Sequence, residues 1–159
     1  MCIIVDTCCL ALVFDGDSKD HPKFAPVLRW IYGNGCMVYG GTKYNTELRK
    51  AMKYFTILTE LSRARRAILM PTAQVDLIAA ELKDQHPEPG FDDEHIVALV
   101  VASRCAVVCT NDAVAISYLR MREIFAERGL KRPSIYRGLR NNEKLCSDRN
   151  IVGVCRHRR

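Results

Sequence analysis

The sequence lacks the features that mark several large classes of protein. No hydrophobic run approaches the roughly 20 residues of a membrane-spanning helix. The longest unbroken apolar stretches are no longer than "IVALVVA" (96–102). The N-terminus lacks the charged region and small-residue cleavage site of a signal peptide, which favours a cytoplasmic location. No internal repeat, low-complexity tract or Pro/Gly-rich linker divides the chain, so its 159 residues predict a single domain of ordinary size.

Common cysteine motifs are also absent, although the chain contains eight cysteines. There is no CxxC pair. Six cysteines lie within or beside apolar segments, where free cysteine behaves as a small hydrophobic residue: Cys2, Cys8, Cys9, Cys36, Cys105 and Cys109. Cys146, Cys155 and His157 could in principle hold a metal, but their spacing matches none of the usual zinc patterns. The cysteines therefore favour a packing role over a structural zinc site.

Positive charge is concentrated near the C-terminus. From Arg128 onward there are ten Lys or Arg residues and two acids, which gives this segment a charge of +8, whereas the first 127 residues carry −2. A basic segment of this kind usually indicates a phosphate-bearing or acidic partner. A solvated, poorly ordered tail is the alternative, above all for the final "RHRR".

Short apolar segments alternate with amphipathic helical patterns, which predicts a three-layer α/β/α fold with a central, mostly parallel sheet. The predicted strands are "CIIV" (2–5), "CMVY" (36–39), "AILM" (67–70), "AVVCT" (106–110) and, at an edge, "SIY" (134–136). Helices are predicted over 22–32, 42–53, 57–66, 71–85, 92–104 and 112–125. Thr42 is the predicted N-cap of the second helix.

Acidic residues recur where these strands and helices meet. Asp6 and Asp112 each follow a strand, and the carboxyl ends of parallel strands open onto the crevice where ligands bind. Asp92 and Asp93 begin the helix that leads to the strand before Asp112, while Glu47 lies partly on the apolar face of its helix. Clustered carboxylates repel one another unless a cation lies between them, and oxygen ligands suit Mg²⁺. Each acid taken alone could instead cap a helix or pair with a nearby base.

The order of these acids resembles that of the PIN-domain nucleases, and more closely a branch of stand-alone, toxin-like PIN proteins. The resemblance rests on "IIVDT" (3–7), "MVYGGTKYNTEL" (37–48), "DDEHIVALVVAS" (92–103) and "VVCTND" (107–112). It implies catalytic and metal-binding roles for Asp6, Glu47, Asp93 and Asp112, with Asp92 and Glu94 as alternatives for the third acid. It also implies supporting roles for Thr7, Thr110, Asn111 and His95.

The same resemblance implies an activity, a cofactor and partners. The expected activity is that of an endoribonuclease that cleaves single-stranded or loop RNA with Mg²⁺ or Mn²⁺. Such proteins are often the toxin of a toxin–antitoxin pair, which would make an acidic antitoxin segment a partner, and a homodimer is left open. The resemblance covers residues 2–136, so we expect a PIN-like domain over 1–136 and a basic extension over 137–159.

An acidic site that binds RNA needs positive charge around it. The bases expected to supply this ring are Arg49, Lys50, Lys53, Arg63, Arg65, Arg66, Lys131, Arg132, Arg137 and Arg140. We therefore expect RNA affinity to fall steeply with salt, and truncation after Arg128 to weaken RNA binding.

Other functions fit the sequence less well or differ in chemistry. Aspartyl phosphatases need a second Asp two residues after the first, where this chain has Cys8. No GxGxxG motif follows the first strand, which argues against dinucleotide binding. A non-catalytic PIN-like protein that binds RNA or acts as a scaffold stays open, as does a nuclease that cleaves DNA.

Overall fold

A computed structural model describes residues 2–150 and 153–156, and it confirms the predicted α/β class. Five strands form one sheet: β1 (Cys2–Val5), β2 (Cys36–Gly40), β3 (Ala67–Met70), β4 (Val107–Cys109) and β5 (Ser134–Tyr136). Their order across the sheet is β3-β2-β1-β4-β5, and every neighbouring pair is parallel. All five predicted strands are therefore confirmed, including the last one at an edge.

Helices connect the strands and cover the sheet. They are α1 (Leu10–Phe14), α2 (His21–Tyr32), α3 (Thr42–Lys50), α4 (Met52–Arg63), α5 (Thr72–Gln85), α6 (Glu94–Ser103), α7 (Ala113–Arg120), α8 (Arg122–Ala126) and α9 (Gly153–Arg156). Short 3₁₀ helices occupy Thr7–Cys9, Asn142–Leu145 and Asp148–Asn150. Because crossovers between parallel strands are right-handed, α1 and α2 lie on one face of the sheet and α5 to α8 on the other. In the connection between β2 and β3, α4 packs against β3, whereas α3 contacts α6. The result is three layers.

The core lies on both faces of the sheet. All residues of β1 are fully buried, and so are Ile96 to Leu99 in α6. Strands and helices covered on both sides read as continuous apolar runs rather than as alternating patterns. This burial explains the unbroken "IVALVVA" segment of α6.

The chain reverses its direction across the sheet between the two central strands. After β1 it moves towards β2 and β3, whereas after β4 it moves the opposite way to β5. Val5 is the register partner of Cys109, so residues 6 and 110 leave the sheet side by side. Ligands of open parallel sheets bind at such a reversal, beyond the carboxyl ends of the strands.

After β2 the break between the two predicted helices comes earlier than expected, and after β4 one predicted helix is divided in two. The segment after β2 breaks at Ala51, and the segment after β4 breaks at Met121, where the backbone is extended. At about 100° per residue, a continuous helix would turn Leu58 roughly 80° away from the direction of Leu48. The break lets both leucines reach the core, where each is 1% exposed. Neither Ala51 nor Met121 is a helix breaker, so the local sequence does not give the position of either break.

The predicted N-cap of α3 is wrong. The helix begins at Thr42 itself, with Gly41 in the cap position. The Thr42 amide and hydroxyl donate to Asp76 Oδ1 and Oδ2 at 2.8 and 2.6 Å. Asp76 lies in α5, so a carboxylate from another helix satisfies the first turn in place of the local hydroxyl.

The described part of the basic extension packs on the domain. Leu145, Cys146 and Val154 lie against the core, and the buried Cys155 forms a disulfide with Cys2 across a Cα–Cα distance of 6.2 Å. Cys2 is thus not a free thiol, and Cys155 is not available as a metal ligand beside Cys146. The third member of that predicted site, His157, lies outside the described residues.

Within the described residues, no helix is both long enough and apolar enough to cross a membrane. Besides Cys2 and Cys155, the buried cysteines among the described residues are Cys9, Cys36, Cys105 and Cys109.

Candidate functional site

Asp6 and Thr110 form the centre of the site at the carboxyl ends of β1 and β4. The Asp6 amide donates to the Cys109 carbonyl at 2.9 Å, which continues the pairing of the two strands by one residue. The Thr110 hydroxyl donates to Asp6 Oδ2 at 2.6 Å. Thr110 is fully buried and Asp6 is 3% exposed, so this carboxylate is held in one orientation.

Thr7 connects Asp6 to Glu47. Its hydroxyl oxygen lies 2.6 Å from Glu47 Oε2 and 3.5 Å from Asp6 Oδ1. Tyr44, one turn before Glu47, donates its hydroxyl to the Val5 carbonyl at 2.6 Å and so fixes α3 to β1. The pKa of Tyr44 is raised by burial and by the negative charges of Asp6 and Glu47, which places both acids beside the same ring.

Two glycines allow α3 to approach the sheet. Gly40 and Gly41 have positive φ angles of 144° and 87°. A Cβ at Gly40 would lie 2.8 Å from the Met70 carbonyl oxygen, and one at Gly41 would lie 2.7 Å from Val75 Cγ1. Glycine is therefore required here by both conformation and space, and it sets the start of the helix that carries Glu47.

Asp112 caps a helix and also belongs to the site. Its Oδ1 accepts hydrogen bonds from the amides of Val114 and Ala115 at 2.7 and 3.1 Å at the start of α7. Its own amide donates to the Thr110 hydroxyl oxygen at 3.0 Å. Capping by Oδ1 is a structural role, and it explains only part of this side chain.

Asp93 is the third acid of the cluster. It occupies the N-cap position of α6 but makes no capping hydrogen bond with its side chain. Burial raises the pKa of Asp93 to about 7, together with the charges of Asp112, Asp6 and Asp92 and a hydrogen bond with Asp112. Acids from three separate segments therefore act on this one carboxyl group.

The two alternatives for the third acid lie elsewhere. Asp92 is exposed. Glu94 is 9% exposed and its Oε1 lies 3.4 Å from Lys43 Nζ, while its Oε2 has no hydrogen-bond partner among the described residues. Lys43 and Glu94 line a cavity of about 280 Å³ between α3, α5 and α6. Glu94 thus faces this cavity and its lysine, whereas Asp93 faces Asp6 and Asp112.

His95 lies behind Glu47. It is 2% exposed, and its Nε2 is 3.7 Å from Glu47 Oε2, beyond hydrogen-bond distance. Burial lowers the pKa of His95, because the charged imidazolium is disfavoured away from water. A neutral imidazole does not neutralise Glu47, so His95 supports the wall of the site without acting as a counter-ion.

Lysine and arginine do not neutralise the cluster within the described part of the chain. Asp6, Glu47, Asp93 and Asp112 form no ion pair with either residue type there. Their oxygens are the donors that Mg²⁺ and Mn²⁺ prefer. However, in residues 2–150 and 153–156 no three His, Cys, Asp or Glu side chains already stand together as a metal-binding group. The donor chemistry fits a divalent cation, and binding would require the carboxylates to turn towards it.

The predicted ring of bases is divided between the two ends of the sheet. Residues 63–66 immediately precede β3, and residues 131–132 precede β5, so they lie at the amino ends of the strands, opposite the acids. Arg137 and Arg140 follow β5 and are exposed. Lys53 forms an ion pair with Asp15 at 3.0 Å. Only some of the predicted bases can therefore surround the acidic cluster.

The remaining predicted residues lie in the last turn of α3 and in the loop after β4. Arg49, Lys50 and Asn111 are exposed, and none has a described side-chain hydrogen bond or ion pair. They are free to meet a ligand.

Sequence reasoning did not identify Tyr44, Lys43 and Cys8 as neighbours of the site. The only available signal for Tyr44 was its place one turn before Glu47 on an apolar face. Cys8 is exposed, and its Sγ lies 3.9 Å from Thr110 Oγ1. A hydrogen bond with Cys9, followed by partial desolvation of the thiol and the charge of Asp6, raises the pKa of Cys8, so it is a protonated thiol at neutral pH.

Comparisons with protein-family models, with curated proteins and with solved structures gave no match.

Proposed function

We propose that this protein is a metal-dependent nuclease that hydrolyses phosphodiester bonds in single-stranded or loop RNA. The observation that supports it is that Thr7 links Glu47 to Asp6, while burial and the charges of Asp112 and Asp6 raise the pKa of Asp93, at the point where the sheet reverses its direction. Buried or half-buried acids without lysine or arginine partners are destabilising. Their retention at a ligand-binding edge favours a functional role.

In this proposal the four acids supply the oxygen ligands for a divalent cation such as Mg²⁺ or Mn²⁺. Thr110 and Thr7 orient Asp6, Thr7 also orients Glu47, and the α7 amides hold one oxygen of Asp112. A bound cation would supply charge neutralisation at the phosphate and a more acidic attacking water. The chain's own contribution is to restrict the movement of these acids, so that they lose little freedom when they turn to engage a cation.

RNA, rather than DNA, is proposed from the resemblance to PIN-domain nucleases. Exposed Arg49, Lys50, Arg137 and Arg140 could contact phosphates near the site, and such contacts position a strand without reading its sequence. A toxin role with an acidic antitoxin partner stays a prediction from the same resemblance.

The direct test is cleavage of a mixed RNA pool by the purified chain with Mg²⁺ or Mn²⁺. Asp6→Asn and Asp112→Asn should each reduce cleavage at least about 100-fold, since removal of a ligand should exceed the effect of removing its hydrogen-bond partner. Asp84→Asn is the matched control, because Asp84 is exposed on α5 and has no described partner. Cleavage that persists in both site variants would contradict the proposal.

Two further measurements separate the alternatives. Calorimetry with Mn²⁺ should show binding that Asp6→Asn removes, whereas a scaffold protein would show no binding that depends on the carboxylates. Parallel reactions with single-stranded DNA of the same sequence measure the preference for RNA, and faster cleavage of the DNA would identify a DNA nuclease.

A further inference from the structure

The amino ends of the strands carry arginine in an unusual backbone conformation. Arg65 and Arg104 are the only described residues other than glycine with positive φ, at 59° and 57°. Arg65 lies in the turn that leads from α4 into β3, and Arg104 ends α6 before β4. A left-handed backbone is unfavourable for a residue with a Cβ, and an exposed arginine gains nothing from it by packing. The sequence therefore tolerates strain at two equivalent positions of the sheet.

The same kind of turn elsewhere in the chain uses glycine. Arg65 and Arg66 donate their amides to the Ser62 and Leu61 carbonyls, the hydrogen-bond pattern of a Schellman helix end. Before β5 the pattern is repeated around Gly129, which has φ 64° and donates to the Ala126 carbonyl. Glycine is the usual residue at this position. Its replacement by arginine before β3 and β4 points to a need for positive charge.

These turns form a surface that we name the amino edge: residues 63–66 before β3, Arg104 before β4 and residues 131–132 before β5. Arg66 and Arg132 donate to the carbonyl oxygens of Gly33 and Arg120, so they also hold the turn after α2 and the end of α7 in place. The remaining four bases, all exposed and without an ion pair among the described residues, are Arg63, Arg65, Arg104 and Lys131.

The amino edge is long enough for several nucleotides and is separate from the acids. Strands are about 4.8 Å apart, so the turns before β3 and β5 are separated by roughly 19 Å across the sheet. Strands of three to five residues place the edge at least about 10 Å from the carboxyl ends where Asp6 and Asp112 lie. The part of a ligand that is bound at the amino edge would therefore not reach the acidic cluster.

We propose that the amino edge binds the phosphate backbone of single-stranded nucleic acid, without a metal and without participation of the acidic cluster. This inference goes beyond the proposed hydrolysis, because the binding stands whether or not the chain cleaves RNA. The phosphate backbone is the fitting partner because the four free groups are all cations, which favours recognition of charge over recognition of bases.

The test is the salt dependence of binding to a fluorescein-labelled, single-stranded 20-nucleotide RNA in EDTA. The double variant Arg65→Gly and Arg104→Gly removes two charges and keeps the backbone conformation, so the chain should fold. Because each phosphate contact contributes about 0.7 to the slope of log affinity against log salt, the slope should become shallower by about 1.4. At 0.1 M salt the affinity should fall about 25-fold, and it should approach that of the wild type towards 1 M.

The control is the double variant Lys19→Gln and Lys144→Gln, which removes two exposed charges that lie outside the amino edge and form no ion pair among the described residues. It should change the slope by less than half as much. An unchanged slope in the glycine variant, or an equal change in the control, would overturn the proposal. Asp6→Asn should bind in EDTA like the wild type; loss of binding in this variant would show that the acidic cluster, and not the amino edge, holds the strand.

Discussion

The two ends of the sheet differ in how they use polar residues. At the carboxyl ends the acids are buried or half-buried, and threonines, backbone amides and one another hold them in place. At the amino edge the charged groups are exposed arginines and lysines. Buried polar groups need fixed partners, whereas exposed cations need only to be near a polyanion. The first arrangement suits chemistry at one point and the second suits binding along a strand.

Residues with a left-handed backbone also differ between the two ends of the sheet. Beside the acids it is found at Gly40 and Gly41, where a Cβ would meet Met70 or Val75 within 3 Å. At the amino edge it is found at Arg65 and Arg104, whose side chains are exposed. Close packing excludes any residue but glycine at the first end, while open space at the second permits a strained arginine.

The largest expected effect concerns Thr110, which holds Asp6 in place. Thr110→Val keeps the shape of the side chain but removes its hydrogen bonds with Asp6 Oδ2 and the Asp112 amide. We expect Mn²⁺ affinity to fall about 10- to 100-fold, as for other groups that orient metal ligands. The free energy of unfolding should also fall by about 1–3 kcal/mol, because Asp6 loses a donor while buried. Calorimetry and urea denaturation measure the two effects.

Thr110→Ser is the matched control, since it keeps the hydroxyl. It should preserve most of the Mn²⁺ affinity, with a small loss of stability from the missing methyl group. Equal metal affinity in the Val and Ser variants would show that the hydroxyl does not orient Asp6 for a cation.

The second effect concerns the pH dependence of stability in the metal-free protein. The pKa of Asp93 is raised from 3.8 to about 7 in the folded protein. Between about pH 4 and 7 the folded state keeps a proton that the unfolded state has lost, so this group lowers the free energy of unfolding as pH rises. Asp93→Asn removes the penalty and should stabilise the protein at pH 8 but not below pH 4.

Without solvent screening, the pKa shift of Asp93 would correspond to about 4 kcal/mol. Because solvent reaches this half-buried group, we expect Asp93→Asn to raise the free energy of unfolding at pH 8 by about 1–2 kcal/mol. Urea denaturation in EDTA at pH 4 and pH 8 measures it. Asp84→Asn should show no such dependence. A gain that is equal at both pH values would mean that the acids do not crowd Asp93.

A smaller effect is expected at the amino edge. Arg65→Gly and Arg104→Gly should each raise the free energy of unfolding by about 0.5–1 kcal/mol, since relief of the left-handed strain exceeds the entropy that glycine adds to the unfolded chain. Gly129→Arg should lower it by a similar amount, because a Cβ there meets no atom within 4 Å and only the strain remains. Thermal and urea denaturation test these signs, and destabilisation by both glycine substitutions would remove the argument from strain.

Much of the fold follows from local sequence pattern. Apolar runs bounded by Gly, Pro and acids identify the five strands, and their alternation with helices indicates a parallel sheet. The positions of the breaks at Ala51 and Met121 do not follow from the sequence, because tertiary packing decides them. The Cys2–Cys155 disulfide joins residues at opposite ends of the chain, so spacing gives no sign of it.

The acids of the site could be predicted because the carboxyl ends of parallel strands meet. Asp6 and Asp112 follow strands that prove to be neighbours. The position of the bases could not be predicted in the same way, since it depends on whether they precede or follow a strand and on strand order. Truncation after Arg128 illustrates the point: it would remove β5 and the fully buried Tyr136, so charge substitutions are the better test of RNA binding.

The smallest effect is expected from the two acids beside Asp93. Asp92 is exposed, and Glu94 turns towards Lys43 at 3.4 Å, away from the group formed by Asp6 and Asp112. Asp92→Asn and Glu94→Gln should therefore change Mn²⁺ affinity by less than about twofold, whereas Asp93→Asn should lower it at least about tenfold. Calorimetry on the three variants at one pH measures the difference. A larger loss in Glu94→Gln than in Asp93→Asn would move the cation towards the cavity beside Lys43 and would make Glu94 the third ligand.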